Sequence, residues 1–107
     1  MANQISKLAL SRFTEFLESE YGERGIIPIA YDPGAVKTYM SDKLPKEANV
    51  VFDDAPELAG DTLVWLTKER RLWLSGRYVS CNWDMPELEA RKDEILKGDK
   101  LRVKMVV

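Results

Sequence analysis

Few residue types in this sequence could perform chemistry. There is no histidine and a single cysteine, Cys81, which excludes Ser-His-Asp and Cys-His catalysis and an internal disulfide, and disfavours a structural zinc site. Acid–base chemistry would have to rest on Lys, Tyr, Asp or Glu. The candidate catalytic residues of these types are Lys7, Tyr31, Asp32, Tyr39, Tyr78 and Asp84.

Each candidate also has a structural interpretation, and both interpretations stay open. Lys7 could be a solvated helix lysine, while Tyr31 and Tyr78 fall in strand patterns and the two aspartates in turns. The acidic pair at residues 53–54 has no calcium-loop pattern, so no metal site is expected. Three tryptophans could stack on a flat hydrophobic ligand or pack in a core or interface: Trp65, Trp73 and Trp83.

One helix is predicted near the N-terminus, over residues 4–21. Its apolar residues recur at steps of three and four, which places them on one side of a helix. Gly22 and Gly25 are expected to end it, because glycine accepts the left-handed conformation that follows a helix. The apolar positions are Ile5, Leu8, Ala9, Phe13, Phe16, Leu17 and Tyr21.

The rest of the chain predicts strands that alternate with helices. Two short apolar segments predict strands, although Pro28 in the first cannot donate to a sheet and favours an edge position. A strand, a crossover helix and a second strand favour parallel pairing, which defines an α/β chain with one domain, residues 1–107. The expected strand, turn, loop, helix, strand, helix and tail are residues 26–31, 32–34, 35–56, 56–71, 77–82, 86–97 and 101–107.

Composition limits the class of partner. The chain has 107 residues, 45% hydrophobic and 32% charged, with a formal net charge of −2 and basic residues scattered among acids. Nucleic acid is not expected as a partner, because it needs a concentrated positive surface. No membrane span or signal sequence is visible, so no membrane partner and a cytoplasmic location are expected.

Two motifs carry a resemblance to a known family. Lys7 follows Ser6 in the first helix, and a Pro-Gly-x-Val-x-Thr turn begins at Pro33 and ends at Thr38. With the later segments "DTLVWLTKERRLWLSGRYVSCNWD" and "ELEARKDEIL", nearly the whole chain resembles the C-terminal part of a fungal short-chain dehydrogenase/reductase. The resemblance implies a truncated Rossmann-like fold, the C-terminal α-β-α-β-α segment of a doubly wound parallel sheet.

The same resemblance shows which functional parts differ. In that family a tyrosine four residues before the lysine transfers the proton, but here that position is Asn3, whose amide has no proton to exchange near neutral pH. The family's glycine-rich dinucleotide turn has no counterpart in these 107 residues, whose glycines are isolated. No cofactor and no cofactor-binding residue are therefore expected.

An incomplete sheet predicts association. A strand edge and an apolar helix face would be left uncovered, so we expect either a homodimer through residues 4–21 or docking onto a full-length homologue. The leading hypothesis is thus a non-redox module that acts through association. Two alternatives remain: a cofactor-independent isomerase, cyclase or lyase acting on a hydrophobic small molecule, and a fragment of an NAD(P)-dependent oxidoreductase.

Overall fold

The computed structural model describes residues 1–34 and 55–106. Strands β1 and β2 pair in parallel, with Ala30 opposite Tyr78 and Asp32 opposite Ser80, and helices flank them. The predicted α/β order and the parallel pairing are confirmed for the described residues. The elements in chain order are α1 (Ala2–Tyr21), β1 (Ala30–Asp32), α2 (Pro56–Thr67), β2 (Tyr78–Ser80), α3 (Met85–Ala90) and α4 (Lys92–Gly98).

Both strands are shorter than predicted. The expected strand over residues 26–31 begins only at Ala30, since Pro28 has no N–H to donate and its carbonyl accepts a bond from the Gly76 N–H at 2.7 Å. The second strand loses its predicted ends, because Asn82 and Trp83 turn back to bond with Ser80. The two strands therefore share few backbone hydrogen bonds, and side-chain packing must stabilise the fold.

The core lies on the α2 side of the sheet. Leu74 and Val79 are fully buried, and Tyr31 donates its hydroxyl hydrogen to the Ala59 carbonyl of α2 at 2.6 Å. Buried arginines border this core, and their charged groups have partners there. The guanidinium of Arg71 stacks 3.4 Å from the Trp65 ring centre, which is a cation–π contact. The buried core cluster consists of Leu66, Trp73, Leu74, Val79, Met85, Leu88 and Ile95.

Helix α1 packs on the opposite face of the sheet through a polar side. Thr14 is its buried residue, and a carboxylate oxygen of Glu15 accepts a hydrogen bond from the Val103 N–H at 3.1 Å. Glu18 forms an ion pair with Arg102, next to Gly76. On the side of α1 away from the sheet, Ile5, Phe13 and Phe16 are exposed among the described residues.

The ends of the helices differ in part from the sequence prediction. Gly25 ends the first helical segment with a left-handed φ of 85°, but Gly22 keeps a right-handed conformation and continues into a 3-10 turn. The predicted helix at residues 86–97 is two helices, because Arg91 leaves helical geometry with φ −96° and ψ 12°. The tail forms no strand within residues 101–106.

Candidate functional site

Four of the candidate residues line one groove between α1 and β1. This α1–β1 groove, of about 580 Å³, is bordered by Lys7, Ser11, Thr14, Tyr31, Asp32 and Tyr78, with Pro33 at its rim. Leu8, Leu10 and Ile29 give it apolar walls. A concave apolar surface with a few converging polar groups is the usual form of a small-molecule site.

The polar centre of the groove is a hydrogen-bonded pair that spans the two strands. Tyr78 donates its hydroxyl hydrogen to Asp32 Oδ2 at 2.8 Å, and the Gly34 N–H donates to Asp32 Oδ1 at 2.9 Å. Since side chains alternate across a strand, Ala30 and Asp32 project to the α1 side together with Tyr78. Asp32 thus fixes the turn that begins at Pro33 relative to both strands.

The electrostatics of the groove disfavour tyrosine as its proton-transfer group. Burial, followed by the hydrogen bond to the Asp32 carboxylate, raises the pKa of Tyr78 to about 12. Burial also raises the pKa of Tyr31, whose hydroxyl is already bonded to the Ala59 carbonyl. A general acid or base works best with a pKa near the working pH, so both side chains are poorly matched to this role.

The helix face that carries Lys7 also supplies polar residues that the sequence interpretation missed. Ser11 and Thr14 follow Lys7 by four and seven residues and line the same groove. Their hydroxyls donate within α1, Thr14 to the Leu10 carbonyl at 2.9 Å. The spacing of four and seven residues from Lys7 is the signal in the sequence that places these hydroxyls on the same helix face. Asn3 is exposed, one turn before Lys7.

The remaining candidates are not part of this groove. The Asp84 carboxylate accepts the Glu87 N–H at 2.9 Å and caps the N-terminus of α3. It borders a separate cavity of about 470 Å³ beside Trp83 and Leu88. Asp84 is therefore separate from the α1–β1 groove, and its position before α3 fits the turn interpretation, while a catalytic role for it stays a prediction. Tyr39 lies outside the described residues.

The N-termini of α2, α3 and α4 are poorly suited to the pyrophosphate of a dinucleotide. Its pyrophosphate needs backbone N–H groups at a helix N-terminus without nearby negative charge. Here the first turn of α2 carries Glu57, α3 is capped by Asp84, and α4 begins with Asp93 and Glu94. Within residues 1–34 and 55–106, no group of three or more His, Cys, Asp or Glu could hold a metal ion, and no helix has the length and apolarity to cross a membrane.

Parallel strands joined through a helix, with α1 on one face of the sheet and α2 on the other, define the class: part of a doubly wound α/β domain. The chain is 51% identical over 106 residues to the short chain dehydrogenase mpl6 of Monascus purpureus, an alignment covering 99% of this chain and 36% of that protein. The chain belongs to the short-chain dehydrogenase family.

Other relatives show similar identity and similar partial coverage. The identity is 44% over 108 residues with the short chain dehydrogenase pigC of Monascus ruber, covering 98% of this chain and 36% of pigC. The identity is 48% over 102 residues with the short chain dehydrogenase andI of Emericella variicolor, covering 95% of this chain and 35% of andI. The chain thus spans about a third of the length of these relatives. No family model and no solved structure matches it.

Proposed function

We propose that this chain functions through association, as a short-chain dehydrogenase-like module without redox activity of its own. The observation that carries the proposal is the outward face of α1. An apolar stripe runs along it at steps of four, four and three residues. This α1 stripe consists of Ile5, Ala9, Phe13 and Phe16, of which Ile5, Phe13 and Phe16 are more than half exposed.

Exposed aromatic and aliphatic side chains in one continuous stripe favour a binding surface. Phe13 and Phe16 are exposed by 56% and 53%, although phenylalanine is usually buried. A short two-stranded sheet also gains stability from further strands. Roughly two-thirds of each relative lies outside the aligned part. A polypeptide of that length has enough surface to cover both the α1 stripe and the edge of the sheet. We therefore name as partner the part of a short-chain dehydrogenase that this chain does not span.

A mixing experiment tests this association. The part of the Monascus purpureus relative outside the alignment is purified, and its binding to this chain is followed by sedimentation velocity. We expect an equimolar complex that the double variant Phe13→Glu, Phe16→Glu cannot form, because two charges would be desolvated in the interface. The matched control Leu72→Glu changes a residue that is 66% exposed outside α1 and leaves binding intact.

Two results would change the conclusion. A folded monomer that binds neither the relative's remaining part nor a second copy contradicts the proposal. A dimer of this chain that the same double variant dissociates supports the homodimer form of association instead. Calorimetric titration with NADPH and NADH should show no binding to the chain alone, and sub-millimolar binding would contradict its lack of a dinucleotide site.

A second candidate function, a cofactor-independent small enzyme, is favoured by one observation. Lys7, Asp32, Tyr31 and Tyr78 share the α1–β1 groove, whose walls suit a hydrophobic molecule with a polar end. The raised pKa of both tyrosines leaves Lys7 and Asp32 as the groups that would handle protons. Amide chemical shifts during titration with a small cyclic ketone test it: changes confined to the groove support binding, and scattered or absent changes contradict it.

A further inference from the structure

A second cavity lies beyond the C-terminal end of β2. This α3–α4 cavity has a volume of about 470 Å³ and is formed by the turn after β2, by α3 and α4, and by the segment that follows α4. Among the described residues, it has no lining residue in common with the α1–β1 groove. Its volume lies within the range of small-molecule sites, so the chemistry of its lining decides which ligand it suits.

The buried part of this lining is apolar and belongs to the core. Leu88 of α3 and Ile95 of α4 are members of the buried core cluster, against which Leu101 packs. The backbone at Leu101 has a left-handed φ of 64°, a conformation that leucine keeps only where its surroundings enforce it. The preceding Lys100 N–H donates to the Ile95 carbonyl at 2.9 Å. The fold therefore holds these apolar side chains in place, and they offer apolar contacts to a ligand.

Trp83 gives the α3–α4 cavity an aromatic wall. It is the most exposed of the three tryptophans, at 37%. An edge-to-face contact with Tyr78 orients the indole, with 5.7 Å between the ring centres and 73° between the ring planes. The Trp83 backbone N–H donates to the Ser80 carbonyl at 3.2 Å, which fixes the turn that carries the side chain. Indole is the aromatic ring that attracts cations most strongly, so this wall favours a positively charged ligand.

The charges around the cavity leave an excess of carboxylates. Arg91 and Lys100 line it, and both pair with one carboxylate, that of Glu94: Arg91 Nε lies 2.8 Å and Lys100 Nζ 2.5 Å from its oxygens. Hydrogen bonds, first from Arg91 and then from Lys100, lower the pKa of Glu94 to about 2, so this carboxylate is ionised near neutral pH. Asp84 and Glu87 also line the cavity. Two cations are thus set against three carboxylates, which favours a cationic ligand over an anionic one.

Glu87 is the carboxylate available to such a ligand. One oxygen of Asp84 already accepts the Glu87 N–H at 2.9 Å and caps α3. The Glu87 side chain is exposed and forms no hydrogen bond or ion pair within the part of the chain that the structure describes. Glu94 and, more weakly, Glu87 raise the pKa of Arg91, so the guanidinium lies in negative surroundings. The Glu87 carboxylate can therefore accept a further cation in this cavity.

We propose that the α3–α4 cavity binds an organic ammonium ion, with its apolar groups on Leu88 and Ile95 and its charge shared by the Trp83 ring and the Glu87 carboxylate. A quaternary amine suits these contacts best, because its charge is covered by carbon groups and needs no hydrogen-bond acceptor when it lies on an indole. The site uses neither the α1 stripe nor the α1–β1 groove. It therefore stands independently of the association proposed above.

Titration with choline tests this site, and neohexyl alcohol, the uncharged carbon analogue of choline, is the matched control. Binding to the isolated chain is followed by NMR of the backbone amides and of the Trp83 indole N–H. We expect choline to shift the indole signal and the amides between residues 82 and 88, with a Kd in the millimolar range. The alcohol should bind about tenfold more weakly, since it has the same shape without the charge.

Two substitutions locate the bound cation. Glu87→Gln keeps the shape of the side chain but removes its charge, and it should weaken choline binding by about fivefold. Glu57→Gln is the control: it removes the same charge from an exposed position in α2 and should leave the affinity unchanged. Trp83→Leu keeps an apolar side chain without an aromatic face and should also weaken binding by about fivefold.

Several results would overturn the ammonium site. They are the absence of choline binding to the folded chain, equal binding of choline and the alcohol, equal effects of the two glutamate substitutions, and shifts confined to the α1–β1 groove. If Trp83→Leu unfolds the chain, Glu87→Gln still decides, because it changes an exposed side chain that has no hydrogen-bond partner among the described residues.

Discussion

The contact between Tyr78 and Asp32 shows how one residue pair can stabilise a fold and limit its chemistry together. The carboxylate accepts the phenol at 2.8 Å and the Gly34 N–H at 2.9 Å, which ties β2 to the turn after β1. The same contact favours the protonated phenol and so opposes the role that tyrosine has in acid–base catalysis. The groove therefore holds polar groups that are engaged in structure.

Replacing Tyr78 with phenylalanine should change how stability depends on pH. The phenol has a folded-state pKa of about 12, above the ordinary tyrosine pKa of 10.0. Stability from this group is therefore complete below pH 10.0 and is lost as pH rises towards about 12, because the unfolded chain releases the proton first. Wild-type protein should lose more free energy of unfolding over this window than Tyr78→Phe in urea titrations. An equal loss of free energy of unfolding in the two proteins would contradict the raised pKa of Tyr78.

At the scale of elements, the packing of α1 depends on a close approach at Gly76. This residue has φ 74°, and a Cβ added to it would lie 3.2 Å from the Cβ of Glu18 and still closer to the carboxylate. Its lack of a side chain thus lets Glu18 reach Arg102. The helix is held by such polar contacts, while the phenylalanines of its apolar stripe are exposed among the described residues.

Gly76→Ala should destabilise the chain by about 2 kcal/mol, through the left-handed backbone and the clash with Glu18. Gly60→Ala is the matched control: nothing lies within 4 Å of its added Cβ inside α2, and alanine should stabilise that helix by about 1 kcal/mol. Adding Glu18→Ala to Gly76→Ala removes the clash with the carboxylate, while the close approach to the Cβ at position 18 and the backbone strain remain. The Tm of each variant, measured by thermal unfolding, separates the clash from the backbone strain. Equal shifts in Tm for Gly76→Ala and Gly60→Ala would contradict a close approach at Gly76.

The order of elements was predictable from the sequence because periodicity and turn residues act locally. Pro56 at the start of α2 and the positive φ of Gly25 follow those local rules. The pairing of Tyr78 with Asp32 joins residues that are distant in the chain, which no local pattern encodes. The groove was therefore only partly predictable: its residue types were visible, and their hydrogen-bond partners were not.

On the scale of the whole molecule, the described residues form one buried cluster on one face of a short sheet. The cluster packs around Leu74 and Val79, on the α2 side, while the α1 side relies on polar contacts and a groove. Small domains bury a limited share of their surface and are correspondingly marginal in stability. Association would stabilise this chain where its own core does least.

The stability of the whole chain should therefore depend on its partner's concentration. A ligand that binds only the folded state adds about 2.7 kcal/mol when its free concentration is about 100 times the Kd. We expect the Tm of this chain, followed by tryptophan fluorescence, to rise steadily as the remaining part of the relative is added. An unrelated protein at equal mass concentration controls for crowding, and Phe13→Glu, Phe16→Glu should show no rise. A rise of equal size in that variant would place the stabilising contact elsewhere than on the α1 stripe.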